Sequence, residues 1–467
     1  MKVSVVTMGC DKNTVDSERY LAELVDRGAE VAPTAEDADV ILINTCGFID
    51  AAKKESIDAI VAAGRLKESG SARAVVAVGC MVERHRSELE QALPEVDLFL
   101  GASEMDRLVP ELIDRGFIDD APVPHPGVRL YSGELPHVRY LKLSEGCDHG
   151  CAFCAIPLMR GRHRSFALDD IVREAQLLEA QGAREINLVA QDLAHYGRDL
   201  RGSGASLPRL LETLVRETDV PWIRMLYIYS AGITPALLEF VATEPRIAPY
   251  FDMPMQHGSD EVLKRMRRPE RNHTIREKVQ RIRELVLDVA IRTTCIVGFP
   301  GETDADFETL LTLLEEVQFD RVGAFTYSAQ EGTAAHVMTD DVPESLKQER
   351  LDRLNDLQRM VTAERFEQRV GSTVRAIVDR VGDDVIEARA IWQAHEIDGT
   401  TALGSRPSAL GSRLSAGDIL DVRVDGVVDD YDLVGSVLGV VAESRGPRAE
   451  SRPRRALPLA TTGSYGR

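Results

Sequence analysis

Leu143-Ser144-Glu145-Gly146-Cys147-Asp148-His149-Gly150-Cys151-Ala152-Phe153-Cys154 is the stretch that decides the fold of this chain. It places three cysteines in eight residues, as C-x3-C-x2-C, directly after an apolar run over Val138–Leu143 that predicts a β-strand. Iron–sulfur clusters are held by cysteine thiolates, and a 4Fe-4S cluster normally takes four of them. Three thiolates would leave one iron open to a small ligand, much as a catalytic zinc site keeps an open position. A zinc site with His149 as the fourth ligand is the alternative.

A second cysteine triple is spread along the first ~100 residues. The alternation of apolar runs with helical spacing predicts a parallel sheet, with strands over Val3–Thr7, Val40–Asn44, Ala74–Val78 and Leu98–Leu100 and helices over Thr14–Arg27, Ala51–Glu68 and Glu83–Ala92. Cys10, Cys46 and Cys80 follow the first three strands, 34 to 36 residues apart. Ligands of open parallel sheets bind outside the carboxyl ends of the strands, so we expect these cysteines to meet in one crevice. The alternative is three separate buried cysteines, a common fate of this residue.

A second run of strand and helix repeats begins after a connection rich in proline and glycine. Strands are predicted over Val138–Leu143, Glu185–Ala190, Trp222–Ile228, Tyr250–Met255, Arg292–Val297 and Val322–Tyr327, with helices over Asp169–Gln181, Leu207–Glu217, Pro235–Val241, Thr274–Val286 and Asp304–Val317. Six such repeats predict a partial (β/α)6 barrel whose active site lies at the carboxyl ends of its strands.

The pattern changes after a long polar helix predicted over Glu344–Gln368. Short strands with Gly and Asp turns then predict a small β-barrel, at Thr373–Val378, Val385–Ala390, Ile419–Val424 and Leu433–Val441. The predicted fold class is thus a multidomain α/β protein. Its units are an N-terminal parallel sheet domain (1–115), the partial barrel (133–365), the small β-barrel (368–442) and a tail (443–467) whose composition predicts disorder.

Composition and charge limit the classes of function. The chain has 44% hydrophobic and 28% charged residues, as soluble globular proteins do. A net charge of −20 argues against broad electrostatic binding of nucleic acid and would suit a basic protein partner, or only solubility. No apolar stretch approaches the ~20 residues that span a bilayer, and the N-terminus lacks a secretory pattern. We therefore expect a cytoplasmic protein with reduced thiols, where clustered cysteines favour metal or catalysis over disulfides.

The motifs together resemble one enzyme family. The C-x3-C-x2-C triple at the head of a six-unit barrel resembles the radical S-adenosylmethionine superfamily. The stretch Gly9-Cys10-Asp11-Lys12-Asn13-Thr14-Val15-Asp16-Ser17-Glu18 resembles the start of the methylthiotransferases, and the last barrel resembles the TRAM domain that those enzymes carry. The resemblance covers the chain up to its tail and implies a transferase that replaces hydrogen with SCH3.

The resemblance also implies the cofactors. Cys147, Cys151 and Cys154 would hold a 4Fe-4S cluster that binds and reduces S-adenosylmethionine, and the resulting 5′-deoxyadenosyl radical would take a hydrogen from an unactivated carbon. Cys10, Cys46 and Cys80 would hold a second 4Fe-4S cluster that carries the sulfur, and a further S-adenosylmethionine would supply the methyl group. A sulfur donor and an electron donor such as flavodoxin or ferredoxin are the implied partners. No catalytic residue beyond the cluster ligands is predicted.

Contacts to S-adenosylmethionine are predicted at two strand ends. Gln191 ends the second barrel strand, where superfamily members contact the cofactor. Gly298 and Glu302 belong to Gly298-Phe299-Pro300-Gly301-Glu302-Thr303, which resembles a loop of these enzymes near the cofactor. The alternative for this loop is an ordinary turn in which Thr303 caps the next helix. His257 and Cys295 are expected to be structural.

Two branches of the family compete for the substrate. One modifies the β-carbon of an aspartate in the small-subunit ribosomal protein numbered twelve, and the other modifies an adenosine in transfer RNA. Between Gly371 and Val441 there are 12 Asp/Glu and 6 Lys/Arg, which suits a basic ribosomal protein, free or in a ribosomal assembly, better than phosphate. Ala394–Gly399 resembles a Pro-Glu-x-Asp-Gly motif of the first branch, with His395 in place of proline. A protein of another class, a non-enzymatic ribosome-binding protein with structural clusters, would not cleave S-adenosylmethionine.

Overall fold

The computed structural model describes residues 1–118, 129–130, 133–404 and 414–441. The predicted disordered tail and most of the connection between the first two domains lie outside these residues. No helix in the described part of the chain combines the length and apolar character needed to cross a bilayer.

The N-terminal unit is a five-stranded sheet with helices on both faces. Its elements are β1 (Lys2–Thr7), α1 (Asp11–Asp26), β2 (Glu30–Val31), β3 (Val40–Thr45), α2 (Asp50–Glu68), β4 (Ala74–Gly79), α3 (Cys80–Ala92), β5 (Leu98–Gly101) and α4 (Leu108–Asp114). The strand order is β2-β1-β3-β4-β5, and all pairs are parallel. Every residue of β3 and β4 is buried, as expected for parallel strands covered on both faces.

The central unit is the predicted partial barrel. Its elements are β6 (Val138–Lys142), β7 (Ser144–Glu145), α5 (Ile156–Arg160), β8 (Arg164–Ser165), α6 (Leu168–Ala180), β9 (Glu185–Val189), α7 (Leu207–Glu217), β10 (Trp222–Met225), α8 (Pro235–Thr243), β11 (Tyr250–Asp252), α9 (Asp260–Arg265), α10 (Asn272–Leu285), β12 (Ala290–Val297), α11 (Asp304–Val317) and β13 (Arg321–Thr326). Two parallel sheets, β6-β9-β10 and β11-β12-β13, continue into each other, since Ile228 N–H donates to Asp252 O (2.9 Å). The short antiparallel pair β7–β8 frames the loop of the C-x3-C-x2-C triple.

The C-terminal unit is a closed barrel of five strands. It follows α12 (Glu344–Glu367) and consists of β14 (Thr373–Val381), β15 (Ile386–Ala390), β16 (Thr401–Leu403), β17 (Ile419–Val428) and β18 (Asp432–Val440). The barrel is fastened to the base of the central unit by buried charges. Arg389 of β15 donates to Asp379 of β14 (Nε to Oδ2, 2.6 Å) and approaches Glu185 of β9 (2.7 Å), while Arg224 of β10 donates to the carbonyl of Ile391 (2.9 Å).

The predicted fold class is therefore confirmed. The predicted elements are present and differ mainly at their ends, whereas seven short elements were not predicted: β2, α4, β7, α5, β8, α9 and β16. Helix α3 begins at Cys80 itself, earlier than the helix predicted from Glu83. Strand β10 stops at Met225, because Tyr227 has a left-handed backbone (φ 64°) that turns the chain out of the sheet.

Candidate active site

The first cysteine triple lies at one edge of the N-terminal sheet. Cys10 precedes α1, Cys46 follows β3 and Cys80 begins α3. Because β1, β3 and β4 are neighbours with their last residues in register, the three cysteines leave the sheet side by side. They differ in burial, since Cys10 is exposed, Cys46 is half-buried and Cys80 is buried. The three cysteines thus share one crevice, as the strand pattern predicts.

Asn13 joins the loops that carry this triple. Its Nδ2 donates to the carbonyls of Met8 (2.7 Å) and Thr45 (3.2 Å), and its Oδ1 lies 3.9 Å from Cys80 Sγ. Asn13 is fully buried, so these bonds fix the loops after β1 and β3 relative to each other. Sequence reasoning gave Asn13 no role, although its place three residues after Cys10 was an available signal.

Gly9 allows the first two loops of the triple to approach closely. Its backbone is left-handed (φ +88°), and a Cβ at this position would lie 2.8 Å from both Cβ and Sγ of Cys46. Any other residue at this position would therefore have a strained backbone, and its side chain would collide with the Cys46 thiol.

The second triple lies on the loop after β6, at the carboxyl edge of the partial barrel. The loop is fastened at several points, since Cys147 N–H donates to Gly161 O (3.1 Å) and Ala152 N–H donates to Met266 O (2.9 Å), in the segment that follows α9. All three thiols are half-buried. The triple therefore sits where barrel enzymes place their reacting groups.

Two side chains approach the thiol of Cys151. The Tyr229 hydroxyl lies 2.8 Å from Cys151 Sγ, and Arg268 Nη1 lies 3.7 Å from the same sulfur. The Arg268 guanidinium also covers the Tyr229 ring at 3.8 Å. Burial raises the pKa of the Cys151 thiol, and the charge of Arg268 offsets part of that rise in favour of the thiolate. Sequence reasoning missed both residues, because only their places beyond barrel elements β10 and α9 pointed to them.

Asp192 is held by two histidines. His149 Nε2 lies 2.8 Å and His195 Nδ1 lies 2.5 Å from Asp192 Oδ2, and the His149 ring stacks on Tyr229 at 3.8 Å. Burial alone would raise the pKa of Asp192, but the hydrogen bonds from His149 and His195 outweigh it and lower that pKa to about 2. Asp192 is thus a fixed carboxylate beside the second triple.

This arrangement disfavours the zinc alternative. Within the described ranges, the one set of three metal-ligand side chains whose atoms all lie within 4.8 Å of one another is His149, Asp192 and His195. His149 is hydrogen-bonded to Asp192 and stacked on Tyr229. In neither cysteine triple do all three sulfur atoms lie within 4.8 Å of one another. A cluster of several irons needs thiolates spaced more widely than one ion does.

Burial favours the protonated form of five of the six thiols in the absence of metal. It raises the pKa of Cys147 and Cys80 to about 11 and that of Cys46 and Cys154 to about 12. Backbone N–H groups of Phe48, His149 and Ile156 offset part of this rise for three of them. A metal cluster would deprotonate such thiols and be held by them, so the chemistry of both donor sets fits iron–sulfur clusters.

The residues predicted to contact S-adenosylmethionine differ in whether their polar atoms already have hydrogen-bond partners within the protein. Gln191 Oε1 is buried and has no hydrogen-bond partner among the residues that the structure describes, so it is available to a ligand. Gly298 has a left-handed backbone (φ +72°) at the end of β12. The carboxylate of Glu302 is occupied, since it accepts from Arg350 Nη1 (3.0 Å) and Phe299 N–H (3.1 Å).

The remaining candidates have structural roles. Thr303 Oγ1 accepts from Asp306 N–H (3.2 Å) and caps α11. His257 is buried, and its Nδ1 accepts from Ser259 N–H (2.9 Å). Cys295 is packed in the core of the central unit.

A buried cluster of charges joins the N-terminal unit to the barrel between the two triples. Asp16 of α1 is bound by Lys142 of β6 and by Arg160 Nη1 (2.6 Å) at the end of α5. Glu145 accepts from Lys142 (2.6 Å) and Arg160 (3.3 Å). Arg160 Nε also donates to Cys80 Sγ (3.0 Å). The helix that follows the second triple therefore contacts a cysteine of the first.

Comparison with known proteins follows the same three units. Family models match over 2–101 (Uncharacterized protein family UPF0004), 141–314 (Radical SAM superfamily) and 370–438 (TRAM domain). Similar curated proteins, named "Ribosomal protein uS12 methylthiotransferase RimO", come from Anaeromyxobacter sp. (strain K), 40% identical over 100% of this chain and 98% of that protein, and from Aquifex aeolicus, 41% identical over 93% and 97%.

Solved structures agree with the fold. The radical S-adenosylmethionine methyltransferase TsrM from Kitasatospora setae, with cobalamin and a [4Fe-4S] cluster bound, is 16% identical and matches 72% of this chain and 77% of its own with a TM-score of 0.54. At this identity the likeness concerns the fold alone.

Proposed function

Because this chain belongs to the ribosomal protein uS12 methylthiotransferase family, we propose that it replaces a hydrogen on the β-carbon of an aspartate of uS12 with SCH3. The chain is a transferase of the radical S-adenosylmethionine class, which removes the non-enzymatic alternative. The observation that supports the proposal most is the placement of two cysteine triples on either side of one domain boundary, joined by Arg160.

We assign one 4Fe-4S cluster to Cys10, Cys46 and Cys80 and another to Cys147, Cys151 and Cys154. When bound, these clusters and S-adenosylmethionine supply the radical that removes the hydrogen and the sulfur and methyl group that replace it. With a cluster bound, Cys151 would be a thiolate, to which the Tyr229 hydroxyl and the Arg268 guanidinium would donate. An external electron donor, such as flavodoxin or ferredoxin, and a sulfur donor complete the proposal.

The chain's own residues would orient S-adenosylmethionine. The unpartnered Gln191 amide oxygen would accept a hydrogen bond from it. The loop that begins at the left-handed Gly298, where the missing side chain leaves room for Lys347, would lie beside it. Glu302 would act indirectly, because its carboxylate fixes the conformation of the loop by accepting hydrogen bonds from Arg350 and from the backbone N–H of Phe299.

The acidic TRAM unit supports uS12 over transfer RNA as the substrate. Its charge of 12 Asp/Glu against 6 Lys/Arg would repel phosphate and attract a basic protein. The loop Ala394–Gly399 contacts the central unit instead of solvent at Asp398. This side chain is buried and accepts hydrogen bonds from the Tyr250 hydroxyl (2.6 Å) and from Ala394 N–H (3.0 Å). This loop would therefore serve to fasten the TRAM unit to the barrel, and exposed acidic residues would meet the substrate.

The test offers both substrates to the reconstituted holoenzyme under reducing conditions with S-adenosylmethionine. We expect uS12 to gain the mass of SCH3 less one hydrogen, located on an aspartate by tandem mass spectrometry. The same gain on transfer RNA with unmodified uS12 would contradict the proposal. A variant with Cys147, Cys151 and Cys154 all replaced by Ala is the control and should form neither product nor 5′-deoxyadenosine.

A further inference from the structure

Arg160 crosses the boundary between the two cysteine triples. It is the last residue of α5, the short helix that begins two residues after Cys154, and its side chain is buried. Cys80, a member of the other triple, packs against Ala155 and Met159 of the same segment. The guanidinium reaches Cys80 with Nε at 3.0 Å from Sγ. A residue of the second cluster loop thus donates to a ligand of the first cluster.

The guanidinium is fixed on its other sides. Nη1 donates to Asp16 Oδ2 (2.6 Å) and to Glu145 Oε1 (3.3 Å), and Nη2 donates to Asn13 Oδ1. Each of these acceptors has a further bond, Asp16 and Glu145 to Lys142 and Asn13 to the loops of the first triple. The planar fork therefore has one position, and in that position Nε–H points at the sulfur.

Within the four-residue cluster around Arg160 the charges balance only while Arg160 is present, and a further buried cation, Lys12, lies on the Cys10 side of the triple. Lys142 and Arg160 face Asp16 and Glu145, two cations against two carboxylates, and all four side chains are buried or nearly so. Removing the guanidinium would leave a surplus negative charge beside the thiolates. Reduction adds another negative charge to a cluster, so both the lost hydrogen bond and the surplus carboxylate would disfavour it.

We propose that Arg160 is a positioning residue for the first cluster, which holds the Cys80 thiolate with its Nε–H and raises the reduction potential of that cluster. The inference rests on the proposed assignment of Cys10, Cys46 and Cys80 to a 4Fe-4S cluster. Hydrogen bonds to cluster sulfurs and net charge are known determinants of cluster potential.

The experiment measures the midpoint potential of the first cluster alone. In a background with Cys147, Cys151 and Cys154 replaced by Ala, the reconstituted full chain is titrated potentiometrically, with the electron paramagnetic resonance signal of the reduced cluster as readout. We expect Arg160→Gln to lower the reduction equilibrium constant about tenfold, about 59 mV for a one-electron couple. Arg160→Lys retains the charge but loses the Nε–H donor, so its potential should fall less than that of Arg160→Gln.

Two controls separate this role from a structural one. Arg19 of α1 also crosses the domain boundary, to Glu174 of α6 (2.9 Å), without touching a cysteine, so Arg19→Gln should leave the potential of the first cluster unchanged. In the opposite background, with Cys10, Cys46 and Cys80 replaced by Ala, Arg160→Lys should not shift the potential of the second cluster.

The outcomes are distinct. An unchanged first-cluster potential in Arg160→Lys, with iron content kept, overturns the proposal even if Arg160→Gln fails to fold. About four irons per wild-type chain instead of about eight would instead refute the assignment of two clusters, and with it the proposed function.

Discussion

One added carbon atom at Gly9 is predicted to prevent binding of the cluster that we assign to the first triple. A Cβ there would lie 2.8 Å from the Sγ of Cys46, in a backbone with φ +88°. We predict that Gly9→Ala lowers the iron content of the anaerobically reconstituted chain from about eight to about four per chain, as measured by iron and acid-labile sulfide analysis.

Gly70 provides the matched control for this prediction. It has a similar left-handed backbone (φ +82°), but no atom lies within 4 Å of the position of its Cβ. Gly70→Ala therefore meets the backbone strain without the collision, and its iron content should equal that of the wild type. Equal iron content in both variants would mean that the loop after β1 can move away from Cys46.

Cys46 separates the two reactions assigned to the chain. It lies in the N-terminal crevice, outside the loop of the second triple. We predict that Cys46→Ala abolishes the methylthio product while 5′-deoxyadenosine still forms, both followed by liquid chromatography with mass spectrometry. Cys295→Ala, in the core, is a control that should keep both reactions if it folds. Loss of both reactions in Cys46→Ala would show that the two clusters are structurally inseparable.

The element that holds the TRAM barrel to the central unit is strand β15 with its buried charges. Burial would raise the pKa of Asp379, but the hydrogen bond from His137 and the charge of Arg389 lower it to about 2. Burial would likewise raise the pKa of Glu185, which Arg389 and Arg224 lower to about 2. The usual values of 3.8 and 4.5 apply in the unfolded chain.

These pKa values predict acid lability of the anchor. Because the folded-state values lie below the unfolded ones, both carboxylates stabilise the fold fully above about pH 4.5. Their contributions, about 2 kcal/mol from Asp379 and about 3 kcal/mol from Glu185, are lost as pH falls through about 2. Asp379→Asn should be less stable at pH 7 and show a shallower loss of stability over this window, measured by thermal melts followed by circular dichroism. The exposed Asp356, paired with Arg359 on α12, is the control, and Asp356→Asn should keep the wild-type profile.

At the level of elements, the sequence predicted most strands and helices because their apolar runs are clear. It missed the strands of two or three residues (β2, β7, β8 and β16) and the helices of five to seven residues (α4, α5 and α9), which are too short to carry a periodic signal. It placed Cys80 just beyond a strand without foreseeing that the cysteine itself begins α3. The closed barrel depends on the parallel pairing of β16 with β18, which no local pattern encodes.

At the scale of the whole molecule, the stability of the fold is expected to depend on the charged cluster between the N-terminal unit and the barrel. Lys142 is almost fully buried against Asp16 and Glu145. We predict that Lys142→Ala destabilises the chain by about 3–5 kcal/mol, because the carboxylates of Asp16 and Glu145 would then share the single cation Arg160 and one buried negative charge would be uncompensated. Urea denaturation followed by circular dichroism measures this free energy of unfolding.

Lys53 is the control for that prediction. It forms a surface pair with Asp50 (2.9 Å), whose side chain is largely exposed. Lys53→Ala should change stability by less than about 1 kcal/mol. A similar small effect for Lys142→Ala would mean that the charged cluster relaxes or takes up water.

For the site as a whole, sequence reasoning found the cysteines but not their surroundings. The spacing of the second triple and the strand ends of the first are patterns that a sequence shows directly. The positions of Arg160, Tyr229 and Asn13 relative to the thiols follow from how distant segments pack, and a single sequence does not encode those distances locally. The family was identified correctly from the motifs, and the assignments of individual cofactor contacts stay predictions.

The gradient of exposure across the first triple has a consequence for handling the protein in air. Cys10 faces solvent while Cys80 is enclosed by Arg160, Ala155 and Met159. An oxidant or alkylating agent that arrives from solvent therefore meets Cys10 first. Oxidation or alkylation of the first triple should begin at Cys10, before α1, and reach the buried Cys80 later. In a protein sample stored in air, the first modified cysteine of this triple is therefore expected to be Cys10.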